Sequence, residues 1–89
     1  GLAYVGKNGK YGYIDTSGKL VIPCEWDDAG IFDEGIAPVE MDGKWGCIDT
    51  TGKLVIPCDY DDLLHTNKHF FALKNGYLTI YDLEGRRVF

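Results

Sequence analysis

The chain has 89 residues, 45% hydrophobic and 26% charged, and a formal net charge of −5 from fourteen acids against nine bases. That composition belongs to one small folded domain and excludes a disordered chain. The acidic balance argues against nucleic-acid binding, which draws on Lys and Arg to neutralise phosphates, and neither a basic amphipathic stretch nor a long apolar run offers a membrane contact or crossing.

In chain order, Gly1-Leu2-Ala3-Tyr4-Val5 reads as a strand, so any secretion leader would precede Gly1. Asn8-Gly9 follows, a pair that tolerates positive φ and marks a tight hairpin. A second strand runs to Asp15-Thr16-Ser17-Gly18, where the Asp carboxylate can bond amides ahead of it and Gly takes the left-handed position. The third strand, through Leu20-Val21-Ile22, is expected to stop at Pro23, which cannot donate to a ladder. A connector, Cys24–Glu34, completes the unit.

The pattern then returns. Gly9-Lys10-Tyr11-Gly12-Tyr13-Ile14-Asp15 through Pro23-Cys24 recurs as Gly43-Lys44-Trp45-Gly46-Cys47-Ile48-Asp49 through Pro57-Cys58, at an offset of 34 residues. Gly35-Ile36-Ala37-Pro38-Val39 repeats the opening strand at the same offset, and His69-Phe70-Phe71-Ala72-Leu73 aligns at a further 34. A degenerate third copy starts at Gly76 and reads as one residue shorter, with Asn75-Gly76 standing for Met41-Asp42-Gly43. The units are therefore Gly1–Pro23, Gly35–Pro57 and His69–Phe89, joined by Cys24–Glu34 and Cys58–Lys68. The connectors carry turn chemistry around Ile31-Phe32 and Leu63-Leu64, with room for a short helical turn.

These elements predict an all-β fold: three-stranded antiparallel meanders in tandem, stacked in an open or curved array. A closed propeller-like or pseudo-threefold arrangement is the alternative, although 34 residues is short for a four-stranded blade, which takes roughly 40 or more. Aromatic and aliphatic positions fall on both strand faces, as in sheets packed between neighbours. The Gly beside each aromatic (Gly12, Gly46) predicts a bulge or another backbone close by.

Written out as Gly-Lys-Trp-Gly-x-Ile-Asp-x-x-Gly-Lys-x-Val-Ile-Pro-Cys-x-Tyr-Asp-Asp, the second copy resembles the WG-repeat family, bacterial tandem β-repeats named for their Trp-Gly pair. Tyr11 replaces Trp in the first copy, and Leu78-Thr79 replaces Trp-Gly in the third. The resemblance implies a β-repeat scaffold within a larger bacterial protein and transfers no catalytic residues.

Repeated residues are the candidates for chemistry. Asp27-Asp28 and Asp61-Asp62, with Glu25 or Asp59 nearby, offer hard oxygen ligands of the kind calcium takes, but without a Gly-containing loop or alternating ligands they read better as turn-capping carboxylates. Cys24 and Cys58 pack as small apolar groups; Cys58, His65 and His69 lack the second Cys that a zinc site favours. No nucleophile–base–orienter set is present and no phosphate loop precedes a helix, so neither catalysis nor a metal or other cofactor is expected. Trp26 and Tyr60, set between acids at each connector entrance, are the candidate contact row, with Asp27 and Asp61 beside them. The expected partner is a protein; a glycan or cell-wall polymer is the alternative, since aromatic faces and carboxylates suit sugars. Unpaired edges of an open stack would add self-association.

Overall fold

A computed structural model describes residues 1–66 and 68–89. It contains ten strands among the described residues: β1 Ala3–Lys7, β2 Lys10–Ile14, β3 Leu20–Trp26, β4 Asp28–Ala29, β5 Ile36–Met41, β6 Lys44–Asp49, β7 Leu54–Tyr60, β8 Asp62–His65, β9 His69–Lys74 and β10 Tyr77–Asp82. They form three antiparallel sheets in tandem, ordered β1-β2-β3, β4-β5-β6-β7 and β10-β9-β8. None closes into a barrel. The longest dimension is 39 Å against 24 and 16 Å across, and no buried cluster joins the first and third sheets among the described residues. The array is open.

Local chemistry places the turns where the residues predict them. Asn8 and Gly9 lie at φ 54° and 78°, Asp42 and Gly43 at 54° and 78°, Asn75 and Gly76 at 51° and 81°. Two successive positive φ values give the primed turn whose twist matches that of the flanking strands.

The connectors differ from expectation. They hold no helical turn among the described residues; each begins as strand. β3 runs through Pro23 to Trp26, and β7 through Pro57 to Tyr60. The prolines do not stop these strands because they sit at bulges, where no ladder bond is owed. On β2, Tyr11 pairs with Trp26 and Tyr13 with Ile22, so the facing strand spends two extra residues over Gly12. The same shift recurs between Trp45–Tyr60 and Cys47–Ile56. Glycine is required beneath: a Cβ on Gly12 would lie 2.3 Å from the Ile22 carbonyl oxygen, and one on Gly46 2.4 Å from that of Ile56.

After each bulged strand the chain crosses to the next sheet, where β4 or β8 adds a strand beside β5 or β9. In the second unit a two-residue turn at Glu34-Gly35 (φ 54° and 81°) returns the chain, closed by reciprocal Asp33–Ile36 backbone bonds of 2.9 and 3.1 Å.

The third unit corrects the repeat frame. Lys74 pairs with Tyr77 as Met41 pairs with Lys44, so β9 and β10 match β5 and β6 at an offset of 33, not 34. Both hairpin turns have two residues, so the shortening does not lie at Asn75-Gly76. It lies in the connector: Ala29 pairs with Val39 and the next backbone bridge joins Asp33 to Ile36, with Ile31-Phe32 bulged between, whereas β8 pairs Leu64 with Phe71 and His65 with Phe70 without a break. A one-residue slip exchanges the faces of a strand. Phe70 and Ala72, not Phe71 and Leu73, therefore enter the core, at 1% and 0% exposure.

Two cores result, one at each sheet junction. Tyr13, Ile22 and Trp26 of the first sheet meet Ala29, Ala37, Val39 and Ile48 of the second. On the opposite face of the second sheet, Ile36, Cys47, Ile56 and Tyr60 meet Phe70 and Ala72 of the third. Bulk is exchanged between equivalent places: Tyr13 and Ala37 in one junction answer to Cys47 and Phe70 in the other. Phe32, on the bulge, packs edge-on against Tyr13 at 4.7 Å between ring centroids.

Candidate functional site

The candidate aromatic row is not a surface. Trp26 and Tyr60 are each only 8% exposed, which corrects the expectation that they stand partly free. Their recurrence follows from pairing: Trp26 lies across from Tyr11 and Tyr60 across from Trp45, so each repeat joins two aromatics across strands beside its bulge. The Tyr60 hydroxyl also bonds the Tyr81 hydroxyl of the third sheet. Burial, then this bond, raises the Tyr60 pKa. Tyr13 is wholly buried and donates to the Gly30 carbonyl at 2.7 Å; burial, with Asp28 and Tyr4 near, pushes its pKa up to about 12.

Asp27 and Asp61 are accessible, and both are engaged. One Asp27 oxygen pairs with Lys10 Nζ of its own unit, and the other accepts the Asp42 amide at 2.8 Å, on the hairpin turn of the next. Asp61 repeats the arrangement with Lys44 and with the Asn75 amide at 3.0 Å. Each carboxylate thus clamps one unit to the following one, and its pKa is held below the ordinary carboxylate value by the lysine first and the turn amide second. Lys10 and Lys44 complete the clamp and are legible only as invariant partners of the Asp at a spacing of 17 residues. Asp28 and Asp62 each accept the amide of the residue that follows, at 2.8 and 2.9 Å.

A second carboxylate row caps turns. Asp15 accepts bonds from the Ser17 amide and hydroxyl and the Lys19 amide, at 2.9, 2.6 and 3.0 Å. Asp49 does the same with Thr51 and Lys53, and Asp82 with the Glu84 and Arg86 amides. Gly18, Gly52 and Gly85 close these turns at φ 85°, 88° and 84°.

The remaining titratable groups are packed or scattered. Cys47 is wholly buried, and burial pushes its thiol up to about 12. Cys24 and Cys58 are partly buried, unbridged, and aimed at the Val5 and Val39 carbonyls. His65 stacks on Phe70 at 4.5 Å, while His69 tilts against Phe71. No group of three or more metal-ligating side chains converges among the described residues, and no cavity opens there.

Apolar side chains that stay uncovered and still repeat lie on the third strands, which form the free edges β3 and β7. Leu20 is 52% and Leu54 44% exposed at equivalent places, each followed along the strand by an exposed proline and acid, Pro23 and Glu25, Pro57 and Asp59. The leucines were legible in the sequence as repeated positions, but nothing local marks them as uncovered.

No curated protein and no solved structure matches the chain. A family model described as WG containing repeat matches residues 11–45 and 45–77. Its span covers both Gly-bearing bulges and the Lys44–Asp61 clamp, and the chain belongs to the WG-containing repeat family.

Proposed function

We propose that the chain is a non-catalytic repeat module that scaffolds protein–protein contacts within a larger protein. The observation that supports this reading is the repeated edge strip: Leu20-Pro23-Glu25 and Leu54-Pro57-Asp59 present the same apolar, rigid and acidic groups from successive sheets. Apolar residues held on firm backbone with charge beside them suit a protein surface. Two copies on one rigid stack would let a partner with matching spacing bind by avidity. Most other repeated groups cap turns, clamp units or fill cores, and no set among the described residues is arranged as nucleophile and base.

The glycan reading rested on open faces of Trp26 and Tyr60, and their burial leaves those faces unavailable for stacking on a sugar. Affinity capture with the immobilised chain, compared with a Leu20→Glu, Leu54→Glu double variant, tests the scaffold reading. One defined protein held by the wild type and lost by the variant is expected. Equal capture by both, or retention of a polysaccharide on a glycan array with no protein held, overturns it.

A further inference from the structure

The second sheet has a neighbour packed on each face, so the groups it leaves exposed are exposed with both neighbours in place. Along its free edge β7 they come in a fixed order: Lys53, then Leu54 at 44% exposure, then Pro57 and Asp59. Val55 stands apart, half-buried where the Gly85 turn of the third sheet packs against it. β3 carries the same order at an offset of 34 residues, as Lys19, Leu20, Pro23 and Glu25, all of them exposed. Each strip therefore begins in a cation, passes through apolar groups and ends in an acid. Lys19, Lys53 and Glu25 enter no ion pair among the described residues, and Asp59 holds Lys74 through one oxygen, at 2.7 Å.

We propose that this strip is self-complementary, and that its partner is a second copy of the chain set against it antiparallel. Lys19 and Lys53 of one copy then meet Glu25 and Asp59 of the other, with the leucines and prolines of both copies between them. The inference rests on the scaffold reading and names the partner of that same site. Charge chooses both the occupant and its direction. In a parallel arrangement lysine would oppose lysine and acid would oppose acid, whereas the antiparallel one sets each end of a strip against its opposite. Side chains make the contact, because Pro23 and Pro57 lack the amides that would carry a ladder across the two edges. The contact is isologous, with its two-fold axis along the stack, so β3 meets β3, β7 meets β7 and assembly stops at a dimer. Both strips engage together, which turns one small contact per sheet into a joint one.

Sedimentation velocity of the whole chain, at concentrations up to about 1 mM, tests the proposal. The wild type should shift from the mass of one chain to twice that mass. A Lys19→Glu, Lys53→Glu variant carries acids at both ends of each strip, and a Glu25→Lys, Asp59→Lys variant carries bases. All four positions are exposed, so each variant should keep the far-UV circular dichroism of the wild type. Alone, each should remain a single chain; an equimolar mixture should dimerise as the wild type does, because acid then meets base at every place. The single swaps Lys19→Glu and Glu25→Lys repeat the comparison if either double variant fails to fold. A wild type that remains a single chain at the highest concentration overturns the proposal. So does assembly by either variant alone, or a mixture that stays monomeric. The scaffold reading falls by a different result, equal capture by the wild type and the Leu20→Glu, Leu54→Glu variant. A monomeric wild type whose capture of another protein is lost in that variant removes the second copy and leaves the scaffold.

Discussion

Gly46→Ala isolates the physics of the Trp-Gly pair, because Gly46 is held by neighbours and not by its own backbone angle. Its φ is not positive, so alanine meets no conformational strain there. The new Cβ would sit 2.4 Å from the Ile56 carbonyl oxygen and 2.7 Å from both Cys58 N and Pro57 C. Ordinary contact begins near 3.4 Å, so three backbone atoms of β7 must retreat by up to an ångström. Those atoms form the bulge that lets Trp45 face Tyr60 and Cys47 face Ile56, and no side-chain rotation relieves the clash. Overpacking that displaces backbone costs about 1–3 kcal/mol, and stiffening the unfolded chain returns about 0.4–1. A net loss of about 1–2 kcal/mol lowers the midpoint by roughly 4–16 °C in a domain of this size. Urea and thermal unfolding, followed by Trp26 and Trp45 fluorescence and by circular dichroism, measure it. Gly43 is the contrast, with φ at 78° and nothing within 4 Å of its Cβ position: Gly43→Asn should cost only the strain of a left-handed backbone, which Asn bears better than most residues, whereas Gly46→Asn should be at least as damaging as Gly46→Ala. If Gly46→Ala changes stability by less than about 0.5 kcal/mol, the bulge does not rest on that glycine and the account of the pair is wrong.

Exchange of bulk between the two junctions predicts coupling: Ala37→Phe should cost about 1–3 kcal/mol by overpacking and Tyr13→Cys about 2–4 by a cavity, while the double variant should beat the sum by about 0.5–3. Additive losses in a urea double-mutant cycle would refute the exchange. For the clamps, Asp27→Ala should speed amide hydrogen exchange at Asp42, and Asp61→Ala at Asn75, with the other turn unchanged in each case; unchanged exchange at both would remove the clamp. The turn-capping carboxylates set the acid limb. Asp15 and Asp49 are held below the ordinary carboxylate value by the Ser17 and Thr51 hydroxyls first, and Asp82 by the Arg86 amide first. Their folded pKa values lie below the unfolded ones, so this stability is complete above the ordinary carboxylate value and is lost as pH falls through the folded values. Asn at all three positions should flatten that limb in urea melts between neutral and strongly acidic pH, and an unaltered slope would sink the assignment.

The turns were legible in the sequence because their causes are local. Asn-Gly and Asp-Gly select positive φ by themselves, and Asp-x-x-Gly carries its own acceptor. Three features were hidden because their causes lie elsewhere in the chain. Whether Pro23 ends a strand or sits in a bulge depends on Gly12 across the ladder, not on residues beside it. The Glu34-Gly35 turn uses a residue that rarely takes positive φ, held there by the Asp33–Ile36 bridge. The third-unit frame could not be read from alternation at all, since Phe70-Phe71-Ala72-Leu73 is apolar on both parities. It is decided by the Asn75-Gly76 hairpin, which pairs β9 with β10 just as Asp42-Gly43 pairs β5 with β6 and so turns Phe70 inward.

A residue recurs in a tandem repeat for one of two reasons: every junction needs it, or a partner reads it. Sequence periodicity weighs both alike, and burial separates them. Trp26 and Tyr60 recur because each faces the aromatic of its Trp-Gly position and closes a core, although their acidic neighbours suggested exposure. Asp27 is half-buried and Asp61 exposed, yet both oxygens of each are committed to a lysine and a turn amide, so their recurrence also belongs to the junction. Leu20 and Leu54 enter neither buried cluster, and burial places a leucine in water only at a cost in free energy. Junction packing therefore gives no reason for their recurrence. At the equivalent place in the third unit stands Arg87, paired toward Tyr81, so the apolar strip ends where the aromatic-Gly pair does. A side chain kept where the pair is kept, and not used by the fold, is the one to alter first when a partner is sought.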